Sequence, residues 1–259
     1  TMTNTFKPNA HLWGVLLLGV VLALPWQRAD AAHDIRGIQG PSFQLYAYPF
    51  HLSLPEGTSL YMWGFGDLTG GANATPDAGT GYSLPQYPAP TLIVTEGQTV
   101  TIALTNYGVP DPVSILVAGH PVTASGGSTG LVTQAANVGE TVNYTFTAGT
   151  PGTYLYHSMD GANPGLHQEM GLAGALIVRP AGYDPVTART AYGLGTGTDY
   201  DQEFLYLLTE VDPEIHVEME RNHYEHFTYH DRYATIWFVN GRVFPDLFGG
   251  DYNSLYPNQ

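Results

Sequence analysis

Residues 139–161 read GETVNYTFTAGTPGTYLYHSMDG. From Thr141 to Thr147 apolar and polar side chains alternate, with Val142, Tyr144 and Phe146 on one side, the two-residue period of a half-buried β-strand. Gly149-Thr-Pro-Gly152 is turn chemistry. It leads into a short aromatic strand, Thr153-Tyr-Leu-Tyr156, that ends on His157, Ser158 and Met159. His157 is the one metal-capable group this stretch delivers to a strand end.

The same pattern extends in both directions. Upstream, Pro90 to Thr95, a turn at Glu96-Gly97-Gln98 and Thr99 to Asn106 read as two strands, the second with Val100, Ile102 and Leu104 on its apolar face. Before them, Phe43 to Tyr48 and Ser59 to Phe65 read as strands, followed by a Gly- and Pro-rich loop over residues 70–87. Downstream, Gly174 to Arg179 closes the group. About seven short strands without a long helical period predict an all-β chain, a Greek-key β-sandwich over residues 40–180. Residues 181–201 read as a linker. Glu203 to Glu210 and Ala234 to Gly241, the latter ending on a hairpin-type Asn-Gly, are two further strands. Two strands bury no core of their own, so they either pack on the sandwich or open an incomplete second domain over residues 202–259.

Composition narrows the chemistry. With 8 Lys+Arg against 23 Asp+Glu the 259-residue chain carries a formal charge of −15, which repels nucleic acid and anionic lipid and attracts metal cations. It has no cysteine, so disulfides, thiolate metal sites and a blue-copper centre, which needs a Cys thiolate beside two histidines, are excluded within it. Near the N-terminus Lys7 precedes the apolar run from Leu12 to Leu24, followed by Ala29-Asp30-Ala31. That is the layout of a signal peptide over residues 1–31, with no membrane attachment after cleavage and a periplasmic or extracellular (secreted) destination. Retention as an N-terminal anchor is the alternative. The cleaved chain would hold no lysine.

Three stretches resemble the multicopper oxidase family, built from cupredoxin (plastocyanin-like) domains. Tyr87-Pro-Ala-Pro-Thr-Leu-Ile-Val-Thr-Glu-Gly-Gln-Thr-Val100 resembles the family's entry motif. Gly139 to Ser158 resembles its P-G-E…P-G-T-Y-W-Y-H-S-H stretch, and Met170-Gly-Leu-Ala-Gly-Ala-Leu-Ile-Val178 the strand that closes its first domain. Phe204 to Pro213 and Trp237 to Asp246 look like the opening strands of its second cupredoxin domain. The resemblance implies a cupredoxin-like fold, copper as cofactor and copper-dependent oxidation. Family oxidases hold a trinuclear copper cluster with four His-x-His pairs, two of them from the first domain. This sequence contains no His-x-His. In the register of the resemblance, Leu116 and Ala118 fill the first pair, His120 lies beyond them, and Met159 stands where the partner of His157 would be. A complete oxidase is therefore excluded for this chain alone.

A smaller site is a separate question. His120, His157, His167 and Met159 lie in loops or strand ends that the fold can gather, and imidazoles with a thioether suit Cu(I). Against this stands a half-buried His157 hydrogen-bonded at its strand end, with His120 and His167 solvated. His223, His226 and His230 would share one face of a helix, but the aromatic residues among them fit a packed loop equally well. Asp212 and Glu214 read as solvated turn residues, and Gly126 to Gly130 as a connecting loop. No nucleotide, zinc-protease or hydrolase motif is present. Two alternatives to the oxidase-like reading stay open: a simple copper-binding protein, and an extracellular structural or assembly module whose open strand edges pair between chains.

Overall fold

The computed structural model describes residues 34–68, 84–161, 165–223 and 231–246. The strands, in chain order, are β1 (Ile38–Gln39), β2 (Ser42–Ser53), β3 (Ser59–Asp67), β4 (Ala89–Thr95), β5 (Thr99–Asn106), β6 (Leu116–Val117), β7 (Thr123–Gly126), β8 (Ser128–Thr129), β9 (Gln134–Ala135), β10 (Thr141–Thr147), β11 (Gly152–His157) and β12 (Ala173–Arg179). Two five-stranded sheets result, in the orders β1-β4-β12-β11-β6 and β3-β2-β5-β10-β7. The expected all-β sandwich is what the chain forms.

Alternation sets the core. Val100, Ile102 and Leu104 of β5 and Val142, Tyr144 and Phe146 of β10 are buried, paired strand to strand in antiparallel register. They meet Leu92, Val94, Tyr156, Leu176 and Val178 from the other sheet in one apolar cluster. Burying such side chains is the main driving force for closing the two sheets. Polar groups that enter the core are matched. Tyr156 donates its hydroxyl to the Pro90 carbonyl at 2.5 Å. The Asn106 amide donates to the carbonyls of Val109, Asp111 and Ala136 and accepts from the N–H groups of Gly108 and Val109. Asn106 thereby fixes the 107–111 loop, which carries Asp111 toward the end of β11.

Beyond the sandwich come a strand β13 (Leu208–Val211), a helix (Pro213–Glu220) and a strand β14 (Ile236–Val239) that pairs antiparallel with β13. The helix is α2; a one-turn helix α1 (Leu166–Met170) precedes β12. Ile215 and Met219 of α2 join the main core, and Val211 and Phe238 pack with Leu60, Met62 and Tyr87. One face of the hairpin packs on the sandwich. Its other face stays open, with Leu208 and Trp237 71% and 65% exposed.

Three local readings are corrected. Residues 203–207 are irregular rather than a strand. Asp212 is no solvated turn residue: it is 5% exposed, and its side chain caps α2 by accepting the Glu214 N–H at 3.0 Å and takes the Tyr233 N–H at 2.7 Å. Glu214, read with Asp212 as a solvated turn residue, lies in the first turn of the helix over residues 213–220, with Pro213 at the favoured first position. The 1–31 segment, His226, His230 and residues 247–259 lie outside the described residues.

Candidate metal centre

β11 carries His157 to the edge where β6 and β12 end. His157 pairs with Leu116 on one side and Ala173 on the other. The position that the family resemblance gives to a ligand of the first pair thus holds a leucine directly across from the histidine that persists. His157 is half-buried and takes the Gln168 side-chain amide on Nδ1 at 3.0 Å.

Ser158 and His167 lie deeper. The turn of α1 ends at Gly171, whose φ of +115° and tight fit, with an added Cβ only 2.7 Å from the Trp63 carbonyl oxygen, require glycine. That short helix turns His167 fully inward, its ring 5.8 Å from Trp63 in an edge-on arrangement. His167 Nδ1 lies 2.7 Å from the Ser158 hydroxyl, which also accepts the Ser114 N–H at 3.0 Å. The Ser158 hydroxyl has no other acceptor among the described residues, so it donates to Nδ1 and the ring proton sits on Nε2, which is buried without a hydrogen-bond partner, 3.5 Å from the Asp111 carboxylate. Ser114 Oγ in turn donates to the Met159 carbonyl at 3.1 Å. Met159 therefore meets this network through its backbone.

His120 is elsewhere, toward the Gly152 end of β11. Its ring packs edge-on against Tyr154 and Phe146, at 4.5 and 5.4 Å. Nε2 accepts the Gly149 N–H at 3.1 Å, and Nδ1 donates to the Ala118 carbonyl at the same distance. Both nitrogens are engaged and the residue is 8% exposed, so neither His120 nor His167 is the solvated histidine that the simpler sequence reading foresaw. His223 pairs with Glu218 at 2.9 Å on the surface.

A second polar cluster, absent from the sequence reading, joins α1 to the C-terminal hairpin. Glu169, its side chain 2% exposed, accepts the Arg232 Nε–H at 2.7 Å and the Asp212 N–H at 2.6 Å. Arg232 also pairs with Glu210 at 2.8 Å. His216, buried, donates Nδ1–H to the Tyr61 carbonyl at 2.6 Å and sets Nε2 3.6 Å from Glu169. Burial pushes the Glu169 carboxyl up. The His216 imidazole, the Asp212 N–H and the Arg232 guanidinium outweigh it and hold the group below its ordinary range.

A two-sheet Greek-key sandwich presenting one histidine at a strand end defines a cupredoxin-type domain. Residues 80–182, which carry β4 to β12, match the multicopper oxidase family. Among curated relatives, an L-ascorbate oxidase of Brassica rapa subsp. pekinensis is 30% identical over 130 residues, 48% of this chain and 20% of its own. A probable nitrite reductase–hydroxylamine oxidoreductase fusion protein of Kuenenia stuttgartiensis is 37% identical over 191 residues, 68% of this chain and 20% of its own. The chain thus spans about a fifth of the length of these relatives. A blue copper oxidase from Nitrosomonas europaea shares the fold at a TM-score of 0.53 and 22% identity, covering 79% of this chain and 54% of that one. A copper nitrite reductase from the same organism does so at 0.51 and 21%, covering 80% and 57%.

Copper is the family's cofactor, and the donor set decides whether this sandwich fits it. Among the described residues no three His, Cys, Asp or Glu side chains gather as a metal group. His167 bonds through Nδ1 to Ser158 while its buried Nε2 has no hydrogen-bond partner, and both nitrogens of His120 are spent on backbone groups. The residues present do not fit the family's copper clusters.

Proposed function

We infer that this chain contributes a structural cupredoxin domain to a copper-oxidase-type protein and performs no oxidation through that domain itself. The observation that carries this reading is the hydrogen-bonded chain Ser114–Ser158–His167, with Asp111 3.5 Å from His167 Nε2, beside a His157 that faces Leu116. Ser114, Ser158 and His167 Nδ1 bond to one another there instead of converging on an ion, and His167 Nε2 is buried without a hydrogen-bond partner. The β13–β14 hairpin is read as the opening of a second cupredoxin domain, in keeping with a chain that spans 54% and 57% of the two related structures. Redox centres then belong to segments other than the described sandwich. The N-terminal apolar run supports export, and no helix among the described residues is long and apolar enough to cross a membrane.

Oxygen uptake tests this reading. With ascorbate or a phenol as reductant, the purified chain consumes oxygen no faster than the same concentration of free copper. Copper-dependent uptake that falls in His157→Ala would refute it.

One observation favours a second reading, an assembly module: the open outer face of β13–β14 with Leu208, Trp237 and the stacked Phe204–Tyr206 pair. Sedimentation velocity decides, since a monomer at every concentration removes it.

A further inference from the structure

Away from the histidines, the end of the β2–β3 hairpin, residues 84–87 and the turn after β14 enclose a cavity of about 570 Å³. That lies within the roughly 300–1,000 Å³ of sites that hold small molecules. Leu52, Leu54, Tyr87 and Val243 form its apolar wall, and Arg242 and Asp246 are its charged residues.

Arg242 is held there by the backbone. Asn240 and Gly241 turn the chain with φ of 51° and 76°. The N–H and carbonyl of Arg242 bond back to Val239, both at 3.0 Å. The Asn240 side chain accepts the Leu207 N–H and donates to the Leu205 carbonyl. A Cβ at residue 241 would come 2.0 Å from the Tyr87 carbonyl oxygen, so the turn seats directly on the cavity wall.

The guanidinium so placed is poorly served. Its Nε is buried without a hydrogen-bond partner, and among the described residues no carboxylate lies within ion-pair distance of it. Arg179, Arg189, Arg221 and Arg232 each have one, whereas the exposed Arg36, like Arg242, has none among the described residues. In a chain of formal charge −15 such a gap stands out. Nε itself is closed to solvent, so an arriving carboxylate would meet the forked terminal nitrogens of the guanidinium, which match it. Asp246 is exposed, at the rim.

We propose that this cavity binds a small organic carboxylate with an apolar body. Its carboxylate meets Arg242, and its hydrocarbon part lies against Leu52, Leu54, Tyr87 and Val243. The site is independent of the metal edge and of the function inferred from it.

The test uses the full chain with 3-phenylpropionate and its neutral analogue 3-phenylpropanol, by calorimetry and ligand-observed NMR. The acid should bind saturably and about tenfold tighter than the alcohol, as a charge-assisted contact requires. Added salt should weaken the acid alone, and Arg242→Gln should reduce the preference to about twofold or less. Equal binding of acid and alcohol to the wild-type chain overturns the proposal. So does the absence of saturable binding by either up to about 10 mM, or a preference that survives in folded Arg242→Gln. Should that variant not fold, the acid–alcohol comparison on the wild-type chain decides by itself.

Discussion

Arg232→Met should lower the unfolding free energy by about 3 kcal/mol, because it leaves the Glu169 carboxylate buried without its cation. Glu169 is nearly solvent-free, and its remaining close donor is the Asp212 N–H. The loss should centre on the C-terminal unit, since Arg232 also holds Glu210 and the Glu210 carbonyl of β13. Amide exchange in β13 and β14 should therefore rise more than in β5 or β10. Urea melts and hydrogen exchange measure both effects. The penalty also has a defined pH dependence. The folded-state value of Glu169 is depressed below the ordinary 4.5, so its stabilising contribution is complete above about pH 4.5 and fades as pH falls through the folded value. The gap between wild type and Arg232→Met should be constant near neutrality and close in acid. An equal gap at both ends of the range would show that the guanidinium acts through packing alone.

His167→Ala should cost about 3 kcal/mol by a different route. It empties a fully buried ring site against Trp63 and strips the Ser158 hydroxyl of its acceptor in a region closed to water. His167→Phe should recover part of this by refilling the volume, while leaving the Ser158 hydroxyl unmatched. A histidine kept only for metal would show a loss that depends on copper. A structural one loses the same stability with and without a strong chelator, and thermal melts in both conditions separate the two.

These expectations rest on features of unequal legibility in the sequence. Strands β5 and β10 are readable because one face of each is buried and the other turned outward, so Val100-Thr-Ile-Ala-Leu and Val142-Asn-Tyr-Thr-Phe display the period openly. The Asn240-Gly241 turn was equally plain, since few residue pairs take two positive φ values in succession. Phe204 and Tyr206 mislead for the same reason: they continue the alternation of Leu208, but the chain up to residue 207 has no ladder partner and their side chains are exposed. Asp212-Pro213 was a legible helix start that was read as a turn.

The site was less accessible to pattern reading. His157 could be placed from its strand. His167 could not, because a helix of five residues shows no period and its inward turn depends on Gly171 and Trp63. The Glu169–Arg232 pair joins residues 63 apart and left no local signal at all.

Copper titration of the full chain, with His157→Ala alongside, tests the central claim most directly. The sandwich edge predicts no saturable Cu(I) or Cu(II) binding that depends on His157, so uptake by the two proteins coincides and neither shows the strong visible band of a thiolate-bound copper. Stoichiometric copper binding in the wild-type chain that His157→Ala abolishes would contradict the account.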